Sequence, residues 1–585
     1  MKLALLNSVV VPRWVFGNPF AVYAANGFEP DIVNVPIDGK YKGTGGSTTL
    51  ADLTNHTRSG TATYLDNNGV LQTAADGVLR SAAYRYESGV LVGPSVLTEP
   101  AATNSVVNNR SLSGWGGAAT ATQDAVGVDG VANKAATVSG SFASSRGKAY
   151  TIADDGNWQC ASLFIKKETS VTAYPGFSFV LSGGTSVRQD VTIDPISGAV
   201  LGRTGFADGV AYIQDWGDFW RVVVAVQNNS TGNTTAQVSI FPAVASTFSD
   251  TWGTSGPQSI VVDFVQGENG AVATSPIDTS GGSTATRAAD VWTIPAANMM
   301  DYQTPTYIGS ELVTNGTFDT DTTGWVASAS AVLTAPSGRL RVTSDASYQY
   351  GYQALTTEVG KVYSLPITGY AGTGNWNAWV SATVGGAAIA DTGTQTTDTT
   401  VTLTFVATST TTYVMLRNRN VGVVAGAYAE FDNVSAREIE PLAVSIAHKG
   451  AMTYADTGAS ADIRHYDWYQ NGSNYIRAQL STITTRTGQT SFLQVEGGTL
   501  DSVSGGQTDY SPGINVPFSI ASWHASNGMN GAIEGTALTE KSTPTSIADL
   551  SAADFEIAPL GVVYTDRLLI WGTKIGDTGI EETSA

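Results

Sequence analysis

A chain of 585 residues has room for roughly three to four domains, so core size does not limit its fold. With 30 basic against 50 acidic residues its net charge is −20, and so acidic a surface repels phosphate backbones and anionic lipid, which argues against nucleic-acid and membrane-surface roles. Cys160 is the only cysteine, which excludes an intrachain disulfide, and no stretch approaches the ~20 apolar residues of a membrane span.

Only 14% of residues are charged, while 64 glycines accompany abundant Thr, Ser, Val and Ala. That composition favours short strands joined by turns and predicts an all-β, multi-domain array of β-sandwich or jelly-roll modules. Residues 1–50 read as an irregular attachment segment. The apolar start, Met1-Lys-Leu-Ala-Leu-Leu6, is interrupted by Asn7, Pro12 and Arg13, so no cleaved leader is expected. Thr61–Leu65 has strand chemistry, Asp66-Asn-Asn-Gly69 is a hairpin turn, and Val70-Leu71 begins the return strand.

A module repeat follows. The opener Glu311–Trp325 (ELVTNGTFDTDTTGW) has an echo in Thr103–Trp115, each with an Asn-bearing turn, a short apolar segment and a final Gly-Trp. Each is answered by a short Asp-bearing strand, Ala429–Val434 and Val261–Val265 respectively. Copied openers and closers mark copied modules. The predicted organisation is an attachment segment with a small β element over 1–104, a first jelly roll over 105–295, a linker over 296–308, a second jelly roll over 309–440 and a third sandwich over 441–585.

Three runs of residues carry a resemblance: Thr57–Arg80 (TRSGTATYLDNNGVLQTAADGVLR), Gly93–Asn104 (GPSVLTEPAATN), and Ala273–Thr279 followed by Thr284–Asp290. In this order they resemble bacteriophage and prophage tail proteins, in which a small N-terminal β element precedes lectin-like or carbohydrate-binding-module-like jelly rolls. The likeness covers about residues 25–295. It departs from the usual pattern at Leu79-Arg80, where Pro-Arg is commoner. The 309–440 opener resembles that of carbohydrate-binding modules, and 441–585 resembles a laminin-G or concanavalin-like sandwich.

The resemblance implies a location on the virion and a tail-fibre or receptor-binding role. Other tail or baseplate proteins would be held through the N-terminal region, host surface glycans would be engaged without catalysis, and the chain would form a homo-oligomer, a trimer being favoured. The rival readings are a purely structural decoration, collar or baseplate protein and, behind it, a polysaccharide depolymerase. For the depolymerase the sequence offers no nucleophile elbow and no histidine in an obvious triad neighbourhood.

Sugar binding needs an aromatic platform flanked by amides or carboxylates. Candidates are Trp376, Asn377 and Trp379 with Tyr370 in the second jelly roll, and His465 with Trp468 in the third module. Asp215–Trp220 (DWGDFW) offers a further aromatic run in the first. Trp115, Trp220, Trp325 and Trp571 read as core. No cofactor is required. By resemblance, Asp319 after the opener's Phe and Asp432 on the closing strand, with a carbonyl near Gly316, are candidates to share a structural calcium. Ser113 stands where Asp319 does in the first module, which should lack the site.

Overall fold

A computed structural model describes residues 20–299, 307–344, 349–419, 426–439, 442–457, 462–545 and 547–585. The apolar start at Met1, and residues 300–306 of the expected linker, lie outside the described residues. The regular secondary structure of the described chain is almost all antiparallel strand, with α-helix only at Leu50–Leu53 and Gly576–Ser584. No helix among these residues is long and apolar enough to cross a membrane. Two compact units are present. One comprises Met1–Asp301, Val444–His524 and Gly528–Ala585, the other Tyr302–Ala443 with Ala525–Asn527.

Within the first unit, the 105–295 region is a two-sheet sandwich. One sheet runs Thr120–Ala125, Ala135–Gly140, Gln258–Asn269, Trp158–Lys166, Phe219–Gln227, Val210–Trp216. The facing sheet runs Arg146–Thr151, Thr235–Ala245, Tyr174–Ser182, Val187–Ile193, Val200–Ala207. Alternation sets the faces: Phe177, Phe179 and Leu181 point inward against Val222, Val224 and Val226, while Ser178 and Val180 point outward. The second unit repeats this topology. One sheet runs Val332–Thr334, Leu340–Ser344, Ala427–Asp432, Val362–Tyr370, Thr399–Val406, and the other runs Val326–Ala327, Tyr350–Thr356, Thr411–Asn418, Trp376–Ser381, Ala390–Asp391.

The repeat seen in the sequence is also a repeat of local geometry. Asn108 and Leu112 in one opener, and Asn315 and Phe318 in the other, all have φ between 51° and 55°. Leu112 and Phe318 are fully buried plugs, and Ser113 and Asp319 are the residues that follow them. Asn108 Nδ2 donates to the Ser113 carbonyl and Asn315 Nδ2 to the Asp321 carbonyl, both at 3.0 Å. On the closing strands, Asp263 and Asp432 each accept from the next residue's N–H, and that residue again has positive φ (Phe264, Asn433).

The remainder of the first unit departs from the expected boundaries. The strands of 441–585 do not close a sandwich among themselves. Val562–Trp571 pairs on one side with Ala443–Tyr454 and on the other with Ile32–Val35 and Val90–Thr98 from the N-terminal region. In the opposite sheet Phe555–Leu560 pairs with Val291–Ile294, which pairs with Asn55–Thr57. Of the segment 1–104, expected to stand apart, the strands between Ile32 and Thr98 are thus built into the sheets of the C-terminal sandwich, while Ala102–Asn104 pairs with Ala285–Arg287. The physical reason is edge satisfaction: an apolar strand such as Val562–Trp571 must pair both its edges when it is buried.

The three motif runs converge in one buried ion network. Asp290 accepts from Arg58 (2.9 Å), Arg80 (2.5 Å) and His56 (2.9 Å), and Glu99 accepts from Arg80 (2.5 Å) and forms an ion pair with Arg287 (2.9 Å). The Ser275 N–H donates to Glu99 at 2.6 Å, and Asn104 donates to the Ile277 carbonyl at 3.0 Å. Burial alone would raise both carboxyls. Arg287, Arg80 and the Ser275 hydroxyl outweigh it at Glu99, and the His56 hydrogen bond with Arg80 and Arg58 outweighs it at Asp290, so both carboxyls are held below the usual carboxylate range. In this structure the motifs act as a clasp that ties the N-terminal strands to the exit of the first jelly roll.

Candidate functional site: aromatic outer faces of the jelly rolls

In the Tyr302–Ala443 unit, the outward face of the sheet containing Trp376–Ser381 gathers aromatic and polar side chains. Tyr350 and Tyr352 project from one strand, Tyr413, Met415 and Arg417 from its neighbour, and Asn377 and Trp379 from the next, in register across the sheet. Period two decides this grouping, since residues with inward-facing register partners alternate with these on every strand. Trp379 meets the edge of Tyr350 with centroids 5.2 Å apart, and the Arg417 guanidinium lies 4.7 Å from its ring. Arg417 donates to Asn377 Oδ1 at 2.6 Å and Asn377 donates to Asp391 at 3.2 Å, forming a polar row beside the rings. Tyr350, Tyr352 and Tyr413 are half-buried and Asp391 is exposed, so rings and a carboxylate are open to solvent together. Gly385 makes room for this arrangement: it has φ +68°, and a Cβ there would lie 2.5 Å from the Tyr350 hydroxyl.

The topologically equivalent face of the 105–295 module is also aromatic, but more closed. Asp190, fully buried, holds Arg188 at 2.6 Å and Arg203 at 3.3 Å. Both guanidiniums stack on Phe206, and Arg203 also covers Trp252. Trp252 lies over Gly176, where a Cβ would come within 2.7 Å of the indole, and bonds Thr192 Oγ1 at 3.1 Å.

The residues expected from sequence fall in different places. Trp376 and Trp379 are three apart on one strand, so they face opposite sides. Trp376 is completely buried against Phe431, and its indole N–H is bonded to the Thr397 carbonyl. Trp376 therefore belongs to the core and not to a platform. Trp379 and Asn377 do lie on the aromatic face, although at 6% and 0% exposure they support its outer residues. Tyr370 stands on the opposite sheet with Arg339 over its ring at 3.6 Å, away from Trp379. Trp468 is fully buried, donates to the Ala553 carbonyl and packs on Phe555. His465 is fully buried beside Phe518 and His448. Neither is placed to meet a sugar. Of the tryptophans read as core, Trp115, Trp325 and Trp571 are buried, whereas Trp220 is half-buried with Lys167 Nζ 4.0 Å from its ring. Tyr350, Tyr352, Tyr413 and Arg417 are candidate functional-site residues that the sequence reading does not single out; the signal for them is Tyr-Gly-Tyr alternation on a strand.

For the candidate calcium ligands, the opener and closing strand do meet, since the Val434 N–H donates to the Gly316 carbonyl at 3.0 Å. Asp319 is exposed and accepts from Thr317; Asp432 is half-buried. Among the described residues no basic side chain is bonded to Asp432. In the first module the corresponding Asp263 is bonded by Arg110 through both carboxylate oxygens at 2.8 Å, with Asp129 on the guanidinium's other edge. An arginine thus supplies a fixed positive charge to that closing-strand aspartate. No group of three or more His, Cys, Asp or Glu among the described residues could hold a metal.

No known protein family matches the chain, and no curated protein matches it. Among solved structures it is similar to the tandem CBM22-1–CBM22-2 domain of Paenibacillus barcinonensis Xyn10C, at 10% identity and a TM-score of 0.18, over 56% of this chain and 93% of that one. It is also similar to the M60 catalytic domain with CBM51-1 and CBM51-2 of Clostridium perfringens ZmpB, at 10% identity and a TM-score of 0.16, over 68% of this chain and 44% of that one. A third is the plant receptor-like kinase ANX1, at 8% identity and a TM-score of 0.13, over 66% of this chain and 97% of that one.

Proposed function

We propose that the chain is a glycan-binding surface protein of a phage particle, a tail fibre or receptor-binding component that engages host glycans without catalysis. The observation that carries the binding part is the solvent-facing row of Tyr350, Tyr352 and Tyr413 beside Arg417, Asn377 and Asp391. Aromatic faces stack on the C–H faces of pyranose rings, and guanidinium, amide and carboxylate groups bond the hydroxyls. The virion part is supported by the motif runs in 57–104 and 273–290. Other tail or baseplate proteins would be held through the N-terminal region. A homo-oligomer, with a trimer favoured, would convert weak single sites into useful avidity. A structural calcium, if bound, would sit at Asp319 and Asp432 and brace the opener against the closing strand.

A purely structural virion role is the second reading. It is favoured by the first module's face, where two guanidiniums close over Phe206 and Asp190 is sealed from solvent.

The deciding experiment is binding of the labelled, purified chain to host cells before and after periodate oxidation of surface glycans. Loss of binding after oxidation, and loss of about tenfold in affinity on Tyr413→Ala or Tyr352→Ala, is the expected result. Binding that survives oxidation would point to a protein receptor. A folded chain that ignores cells would leave the structural role.

A further inference from the structure

A small cavity lies inside the first unit, where the outer face of the first jelly roll meets the clasp and the C-terminal sandwich. Its walls include Trp216, Arg221, Glu99, Gln214, Asn515 and Tyr564. About 20 Å³ is open to a water-sized sphere, which is space for one or two water-sized groups and too little for a sugar.

Two buried donors on these walls lack partners among the described residues: Arg221 Nε and the Trp216 indole N–H, on side chains that are each 5% exposed. Arg221 Nη2 donates to Ser162 Oγ at 3.3 Å and to the Thr274 carbonyl, both neutral acceptors. Among the described residues no carboxylate forms an ion pair with it. A guanidinium cannot shed its proton at any ordinary pH, and a buried charge without a counter-charge is costly.

The nearby acids do not remove the imbalance. Glu99 reaches the cavity wall, but it already serves Arg80 and Arg287 and accepts from the Ser275 N–H and hydroxyl. Asp290 is shared by Arg58 and Arg80. Glu268 accepts from the Thr274 N–H and hydroxyl, and burial pushes its carboxyl up, toward the neutral acid. Four buried guanidiniums (Arg58, Arg80, Arg221, Arg287) therefore face at most three carboxylates.

We infer that this cavity binds a small monovalent anion, chloride in ordinary solution, held between Arg221 Nε and the Trp216 indole N–H. A halide matches the available space, accepts from both donors and offsets the surplus positive charge. The site is independent of the glycan face and would brace the junction between the clasp and the C-terminal strands.

The test uses the full chain dialysed into gluconate and titrated with chloride at constant ionic strength. The expected result is a saturable rise in Tm of about 2 °C or more. Crystals grown in bromide should show an anomalous peak beside Arg221 Nε. Trp216→Phe keeps an aromatic ring at this position and removes one donor, so it should weaken the chloride dependence by about tenfold; Arg221→Met should abolish it. Should Arg221→Met fail to fold, the Trp216→Phe titration and the bromide map decide. Equal melting in chloride and gluconate without an anomalous peak would overturn the inference, as would a chloride response unchanged in Trp216→Phe.

Discussion

A single residue's strand parity separates core from surface here, and the Trp376/Trp379 pair shows how. Both were readable as aromatic residues near a turn, but only the fact that they share a strand reveals that they point opposite ways. Trp376→Ala should cost about 3–5 kcal/mol of stability in a denaturant titration, because it empties the centre of a packed core. Tyr413→Ala, on the half-buried face, should leave stability within about 1 kcal/mol while lowering glycan affinity. Arg110 makes the same point through charge. Removing it by Arg110→Ala leaves Asp263 buried without its cation, and a loss of about 3–5 kcal/mol is expected.

At the scale of elements, the opener and closer of each jelly roll were legible as repeated motifs. Their use of φ-positive Asn, a buried apolar plug and an aspartate that binds the following N–H explains why those residue types recur. What the motif could not reveal was which cation, if any, serves each aspartate, since Arg110 reaches Asp263 only through folding. In the C-terminal sandwich, two neighbouring strands, Ala443–Tyr454 and Gly513–Ala525, carry the buried His448 and His524. Burial holds both at about 3, far below the ordinary 6.5, so each stays neutral when folded. The unfolded chain binds more protons below pH 6.5, so this stability is complete above about 6.5 and is lost as pH falls toward 3. At pH 5 each histidine should cost about 2 kcal/mol, and His448→Gln should flatten the fall in Tm between pH 7 and pH 5.

For the whole molecule, strand pairing cuts across chain order. A fragment of 441–585 lacks Val90–Thr98, Ile32–Val35 and Val291–Ile294, which cover strand edges of its sheets. Expressed alone, it should aggregate or give no cooperative melt by circular dichroism. A fragment of 302–443 contains both sheets of its own jelly roll and should unfold in a single cooperative transition. Sharp melting of the 441–585 fragment would contradict the strand sharing.

By itself the sequence determined the all-β class, the turn positions, the module repeat and the motif runs, because composition, alternation and turn chemistry are local properties written along the chain. Only the tertiary structure decided that the N-terminal strands complete the C-terminal sandwich, that the motif arginines and acids share one buried network, and that Tyr350, Tyr352 and Tyr413 form one face. These depend on register between strands hundreds of residues apart in some cases, and register is set by which apolar faces and unpaired edges bury together.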